Sequence, residues 1–222
     1  MDTRNQQSKE PRQIIYRKQA EQIIGHLQRQ GMEGFYFDNA LSAAEAVCSM
    51  IPAGSVVGLG GSVTVIETGL IEALRKQDIR LLDRFRDGVT EQEVDAMRHE
   101  SMQADVFIAS SNAITLDGKL VNMDGMGNRV AAMIYGPKKV ILVMGMNKVV
   151  PTVMEAITRI KTTAAPMNAA RVNKQTPCFV TGLCQDPKCT PPNRICGQLV
   201  VIEASMINDR IKVVLIGEEY GF

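Results

Sequence analysis

Four short runs constrain this chain more than anything else in it: Val56-Val57-Gly58-Leu59, Val106-Phe107-Ile108-Ala109, Val140-Ile141-Leu142-Val143-Met144 and Val213-Val214-Leu215-Ile216. A strand with one wet face alternates apolar and polar side chains. A run without alternation has to be covered on both faces. Between these runs lie segments with apolar residues at helical spacing, and strands alternating with helices imply crossover connections and a parallel sheet. The fold class read from the residues is therefore α/β, a mostly parallel sheet covered by helices on both faces.

The remaining elements fit that frame. Apolar residues at Ile14, Ile15, Ile23, Ile24 and Leu27 predict a helix over 14–27, with residues 1–11 frayed ahead of it. Phe35-Tyr36-Phe37 reads as a short strand and 42–50 as a helix. The strand 55–59 runs through Gly60-Gly61-Ser62 into a helix over 64–76, and 79–82 is a further strand. Thr90 with Glu93 forms a capping box opening a helix over 90–102, followed by a strand over 105–109. Asp117-Gly118 between strand formers predicts a hairpin over 114–121. A helix over 128–135, a strand over 139–144 and a helix from Pro151, a residue suited to a first helical position, to about Ala165 come next. The segment 166–197 is rich in proline, lacks periodicity and reads as a loop. Strands over 198–203 and 210–216 close the chain. With no linker visible, the organisation is one domain: an N-terminal helical segment, 1–54, packed on a core of 55–222.

Charge excludes several classes of partner. Lysine plus arginine number 25 against 24 acids, a formal net charge of +1, so no nucleic-acid or anionic-membrane footprint is expected. The longest apolar runs are far shorter than a membrane span, and the polar N-terminus lacks a signal-peptide core. The expectation is a cytoplasmic protein with its five cysteines in a reducing compartment.

In a doubly covered parallel sheet, ligands bind at the carboxyl edge, which selects the loops after Leu59, Ala109, Met144 and Ile216. The first, Gly58 to Thr64, offers glycines that admit a ligand to the backbone, free amides, and the hydroxyls of Ser62 and Thr64, a pattern suited to an anion. It is neither a Walker loop nor GxGxxG. A tight turn with Ser62 or Thr64 as N-cap explains it equally well. Glu67 fits a capping box with Thr64 or a general base facing the pocket. Ser110-Ser111-Asn112 forms the second loop. Asn122, Asp124, Gly125, Gly127, Asn128 and Arg129 belong to a polar stretch entering a helix, either a substrate-binding wall or an elaborate turn with Asn128 as N-cap. Asn147 and Lys148 end the most hydrophobic strand; Lys148 is a candidate for holding a phosphate or carboxylate, or for catalysis, and equally fits a solvated surface lysine. His26 and His99 fall in no triad or metal pattern.

Cys178, Cys184, Cys189 and Cys196 stand in one loop at spacings of x5, x4 and x6. Such clustering in a reducing compartment argues for a metal, zinc or an iron–sulfur cluster, although the spacing matches neither zinc-ribbon pairs nor a ferredoxin run. Unlinked thiols or a reversible disulfide are the alternatives. Cys48 reads as an ordinary buried thiol on the 42–50 helix.

The stretches GLGGSVTVIETGL (58–70), ADVFIASSNAITLDGKLVNMDGMGNRVAAMIYGPKKVILVMGMNKVV (104–150), AAPMNAARVNKQTPC (164–178) and RIKVVLIGEEYGF (210–222) resemble the LUD domain, the lactate-utilisation family, in order and spacing from about Ser55 to the end. The resemblance implies a Rossmann-like fold of the NagB/RpiA/CoA-transferase kind. It also implies anion binding by Gly60, Gly61, Ser62 and Thr64, with the 122–129 loop as the facing wall. The Asp-Gly-Ala-Asp motif and Lys-Gly-rich loop of ribose-5-phosphate isomerase are missing, so the resemblance does not extend to that reaction. LUD proteins are associated with oxidation of L-lactate to pyruvate beside iron–sulfur partner subunits; the four-cysteine loop looks like that of short members. Three functions stay open: an enzyme or enzyme subunit acting on a small anionic metabolite, a redox or metal-binding component, and a metabolite-sensing regulatory module. The fold group often self-associates, which by analogy allows a homo-oligomer.

Overall fold

The computed structural model describes residues 3–184 and 189–222. In chain order its elements are α1 (Thr3–Arg29), β1 (Glu33–Phe37), α2 (Ala40–Ser49), β2 (Val56–Leu59), α3 (Val63–Glu67), α4 (Leu70–Leu74), β3 (Arg80–Leu82), α5 (Glu91–Glu100), β4 (Val106–Ala109), β5 (Ala113–Thr115), β6 (Leu120–Asp124), α6 (Asn128–Ile134), β7 (Lys139–Gly145), β8 (Val149–Val150), α7 (Val153–Arg159), α8 (Ala165–Arg171), α9 (Pro177–Thr181), β9 (Gln198–Ile202) and β10 (Ile211–Ile216).

Six strands form one sheet in the order β1-β10-β7-β4-β2-β3, and every neighbouring pair is parallel. The four apolar runs are its four central strands. Their side chains divide by parity, as pleating requires. From β7, Val140, Leu142 and Met144 face one core, where they meet Ile23 and Leu27 of α1 and Met133 of α6. Ile141 and Val143 face the other, against Val47 of α2 and Leu70, Ile71 and Leu74 of α4. The absence of alternation in the sequence is thus the signature of two cores, one on each side of the sheet.

A second, four-stranded sheet, β8-β5-β6-β9, was not legible as such. The Asp117-Gly118 hairpin forms as expected, Ala113 opposite Val121 and Ile114 opposite Leu120, with Gly118 at φ 84°, which a residue without a Cβ adopts at no steric cost. Ile114 and Leu120 close the α1-side core, while Ala113 and Val121 pack under Ala156 and Ile160. The strand 198–202 joins this sheet, antiparallel to β6.

Several local expectations need correction. The stretch 1–11, expected to be frayed, is helical from Thr3; residues 1–2, like 185–188 of the cysteine-rich loop, lie outside the described residues. The single helix over 64–76 is two, α3 and α4, divided at Gly69, whose φ of 69° is left-handed. Pro151 precedes α7 rather than opening it: Thr152 is the N-cap and accepts the Glu155 N–H. The helix expected to end at Ala165 continues through a π-helical turn over 160–164 into α8, with Pro166 in the first turn of α8. A proline lacks an N–H and crowds the preceding turn; the wider π turn lies where that crowding falls, and such turns gather at functional sites. The segment 166–197 therefore begins with helix and holds a second, α9, capped by Thr176. Among the described residues no helix is long and apolar enough to cross a membrane.

Candidate functional site

Because all six strands of the main sheet run the same way, their carboxyl ends share one edge. There the segments after β2, β3, β4, β7 and β10 converge, and α8 leans over them. They enclose a cleft of about 180 Å³. Its lining is polar and cationic: Arg84, Arg98, Arg129, Arg171 and Lys148 against one carboxylate, Asp124.

Asp124 is already committed. Its carboxylate accepts two hydrogen bonds from the Arg129 guanidinium, at 2.9 and 2.7 Å, and two more from the backbone N–H groups of Arg129 and Val130. It thereby caps α6 in place of Asn128; the N-cap residue is Gly127, at φ 89°, which supplies no side-chain bond. Arg129 spends its other donors on the carbonyls of Ser110 and Met123 and the side-chain oxygens of Asn122 and Asn112. This network ties the second and third loops to β6 and fixes one wall of the cleft.

Lys148 is buried, 4% exposed. Its Nζ donates to Thr64 Oγ1 at 2.7 Å and to Ser110 Oγ at 3.0 Å. It makes no ion pair with a carboxylate among the described residues. Burial, then the positive charges of Arg159 and Arg129, bring its pKa down to about 7, with Glu67 pulling weakly the other way. The reading of Lys148 as a solvated surface lysine is excluded by its burial.

Sequence reasoning missed three arginines. Arg84 follows β3 and lies over the Phe85 ring at 5.4 Å; its guanidinium has no hydrogen-bond or ion-pair partner among the described residues. Burial and then the charges of Arg98 and Arg171 push its guanidinium below the usual arginine value. Arg98 comes from α5, 3.7 Å from Asp95, and its buried Nε lacks a hydrogen-bond partner. Arg171 comes from α8 and is steadied by Asn168 Oδ1, one turn earlier. Burial lowers its pKa too. Three guanidinium groups close enough that the charges of two of them lower the pKa of the third, in a cleft whose one side-chain carboxylate, Asp124, is taken by Arg129, form a site for a multiply charged anion.

Of the residues singled out from sequence, Gly61, Ser62, Asn112, Asp124, Gly125, Asn128, Arg129 and Lys148 line this cleft. Others stand behind it. Gly60 donates its N–H to the Ile108 carbonyl, extending the sheet, and a Cβ there would lie 2.8 Å from that of Ala109; amides left for an anion begin at Gly61. Ser62, although on the cleft, uses its hydroxyl oxygen to cap α3 through the Val65 N–H. Thr64 is wholly buried under Lys148. Asn122 serves Arg129. Asn147 clamps the backbone of Tyr220 and Gly221. Glu67 accepts the Gly221 N–H at 2.7 Å, so it holds the 217–222 segment; no capping bond to Thr64 accompanies it.

The cysteine loop meets the same cleft. Gly197 N–H donates to the Asp124 carbonyl, and Ile195 and Cys196 line the opening. Burial first, then the neighbouring sulfurs of Cys178, Cys184 and Cys189, raise the Cys196 thiol to about 11. Cys178, Cys184 and Cys189 are therefore each within electrostatic reach of Cys196. Among the described residues, however, no group of three or more His, Cys, Asp or Glu side chains is arranged to hold a metal ion.

Among curated proteins none matches the chain. Among solved structures, a crystal structure of a DUF162 family protein from Deinococcus radiodurans superposes with a TM-score of 0.51 over 90% of this chain and 97% of that one, at 13% identity, a likeness of fold alone. The profile of the LUD domain matches residues 20–216, from the first helix to the last strand of the main sheet, and the chain belongs to the LUD domain family.

Proposed function

We propose that the cleft binds a small organic anion, a carboxylate or phosphorylated metabolite, and that the chain acts as an enzyme or enzyme subunit in small organic-acid metabolism of the lactate type. One observation carries this reading: Arg84, Arg98 and Arg171, drawn from three separate elements, converge on the carboxyl edge of the sheet, and of the three only Arg98 has an ion pair among the described residues, a 3.7 Å contact with Asp95 outside the cleft. Like charges held together in a partly desolvated space destabilise the fold unless an anion offsets them. Family membership supports the lactate-type setting, and iron–sulfur partner subunits fit it.

The test uses Gly61. A Cβ there meets only the flexible end of Arg84, at 3.4 Å, so Gly61→Val is expected to fold while its branched side chain takes up space beside that guanidinium. Calorimetry with phosphate, lactate and sugar phosphates at low salt is expected to show binding to the native protein and at least tenfold weaker binding to the variant, an effect of about 1.4 kcal/mol. Equal affinity in a folded variant would remove the loop from the site.

A second reading, a metal-binding or redox component, is favoured by the reach of the Cys178, Cys184 and Cys189 sulfurs to Cys196 at the cleft. Chemically, four thiolates suit zinc or an iron–sulfur cluster, though the side chains do not stand in ligating positions. Anaerobic purification is expected to retain metal that a Cys184→Ser/Cys189→Ser variant loses. Absence of metal after reconstitution with both zinc and iron–sulfide would dismiss it.

A further inference from the structure

A buried lysine without a carboxylate partner is rare, because an uncompensated buried ammonium is expensive. Lys148 is such a residue, and it opens onto the cleft rather than into the core. Its two neighbours, Thr64 Oγ1 and Ser110 Oγ, are neutral hydroxyls that orient the amine without requiring it to be charged. Arg129 and Arg159 on one side disfavour protonation, and Glu67 alone opposes them. The three serines of the cleft are poorer nucleophiles by position: Ser62 Oγ caps α3, Ser110 Oγ donates to the Ser111 carbonyl, and Ser111 Oγ is enclosed by the Ala113 and Val121 carbonyls and Asn122.

Resting on the anion-binding reading above, we propose that Lys148 is a nucleophile toward a 2-oxo acid, the carboxylate seated on the arginines and the carbonyl carbon presented to Nζ. The balance is simple. The nitrogen lone pair forms a bond to the carbonyl carbon, the carbon–oxygen bond breaks, and the oxygen departs as water with the two protons of the neutral amine, leaving an imine. No oxidant or reductant takes part. Ser110 Oγ, at 3.0 Å from Nζ and itself on the cleft, is positioned to relay a proton to the departing hydroxyl. The depressed pKa of Lys148, about 7, makes close to half of the amine nucleophilic at neutral pH. An ordinary lysine at about 10.4 is neutral there only about once in a few thousand molecules.

The experiment incubates the full chain with pyruvate or 2-oxoglutarate and sodium cyanoborohydride at neutral pH. Intact-mass and peptide analysis should show one adduct, heavier by the mass of the acid less one oxygen, on the peptide holding Lys148. Its rate should exceed that at any other lysine by about a hundredfold or more, the direction set by the neutral fractions, and should rise with pH around 7. Lactate and phosphate, which have no ketone, should protect. Lys148→Arg, which keeps charge and donors, and Lys148→Met, which removes the buried charge, should both lack the adduct, with thermal melts verifying folding. Calorimetry on the same samples separates the two ideas. Binding of the acid with no adduct, or labelling spread evenly over surface lysines, overturns the nucleophile and leaves the anion site standing. Neither binding nor adduct overturns both. An adduct at Lys148 that neither lactate nor phosphate suppresses supports the amine and refutes the arginine-seated carboxylate.

Discussion

Replacing Arg129 by alanine is expected to destabilise the protein by about 3–5 kcal/mol, the loss typical of removing one partner from a buried ion pair. The side chains of Arg129 and Asp124 are 10% and 9% exposed, with their closest approach at 2.7 Å. Without the guanidinium, the carboxylate keeps its two backbone donors but loses its counter-charge. At the same time the Ser110 and Met123 carbonyls and the oxygens of Asn112 and Asn122 lose donors. Denaturant melts of Arg129→Ala, Asp124→Ala and the double variant measure this directly. The double variant should lose less than the sum of the single losses, because removing the second partner abolishes an unpaired charge instead of creating one. Strict additivity would mean that the pair is not coupled and that the wall of the cleft has some other support.

The second large effect concerns binding. A hydrogen bond to a charged group contributes about 1.5–3 kcal/mol. An Arg84→Ala/Arg171→Ala double variant is therefore expected to lose on the order of 10² or more in affinity for whichever anion the native protein binds. Neither side chain makes an ion pair among the described residues, so the fold should be unaffected or slightly stabilised, since mutual repulsion with Arg98 is relieved. Calorimetry at low ionic strength reads the affinity and a thermal melt reads the stability. A loss of stability with affinity intact would show that these guanidinium groups support the fold and do not hold the ligand. The native protein should itself bind more weakly as salt increases, because the cleft is open to solvent.

The order of elements was largely readable because each leaves a local mark. Unalternated apolar runs gave the central strands of the main sheet. Asp117-Gly118 gave the hairpin, and Thr90 with Glu93 gave the capping box, which forms with both reciprocal bonds. The carboxyl-edge rule then pointed to loops that line the cleft, since parallel strands place every strand-to-helix turn on one edge. From that rule came Gly61, Ser62, Asn112 and Lys148 as cleft residues, and from the polar 122–129 stretch Asp124, Gly125, Asn128 and Arg129.

The sequence by itself determined which segments are buried on two faces and on which edge of the sheet a site can lie, because burial and chain direction follow from local pattern and from the sterics of crossover connections. Only the tertiary structure decided which polar residues are structural and which face a ligand. Arg129 and Arg84 look alike in a sequence, yet one is saturated by six acceptor contacts and the other has none among the described residues. Arg98 lies in a helix with no buried residue, and local pattern gives it a solvated face. Arg171 lies beyond Pro166, where a proline reads as the end of a helix that in fact continues through a π turn. Likewise β9 carries no mark that it pairs with β6 in a second sheet. Hydrogen-bond saturation, charge repulsion and strand partnership are properties of groups distant in the chain and close in space, so they come into being only when the fold brings those groups together.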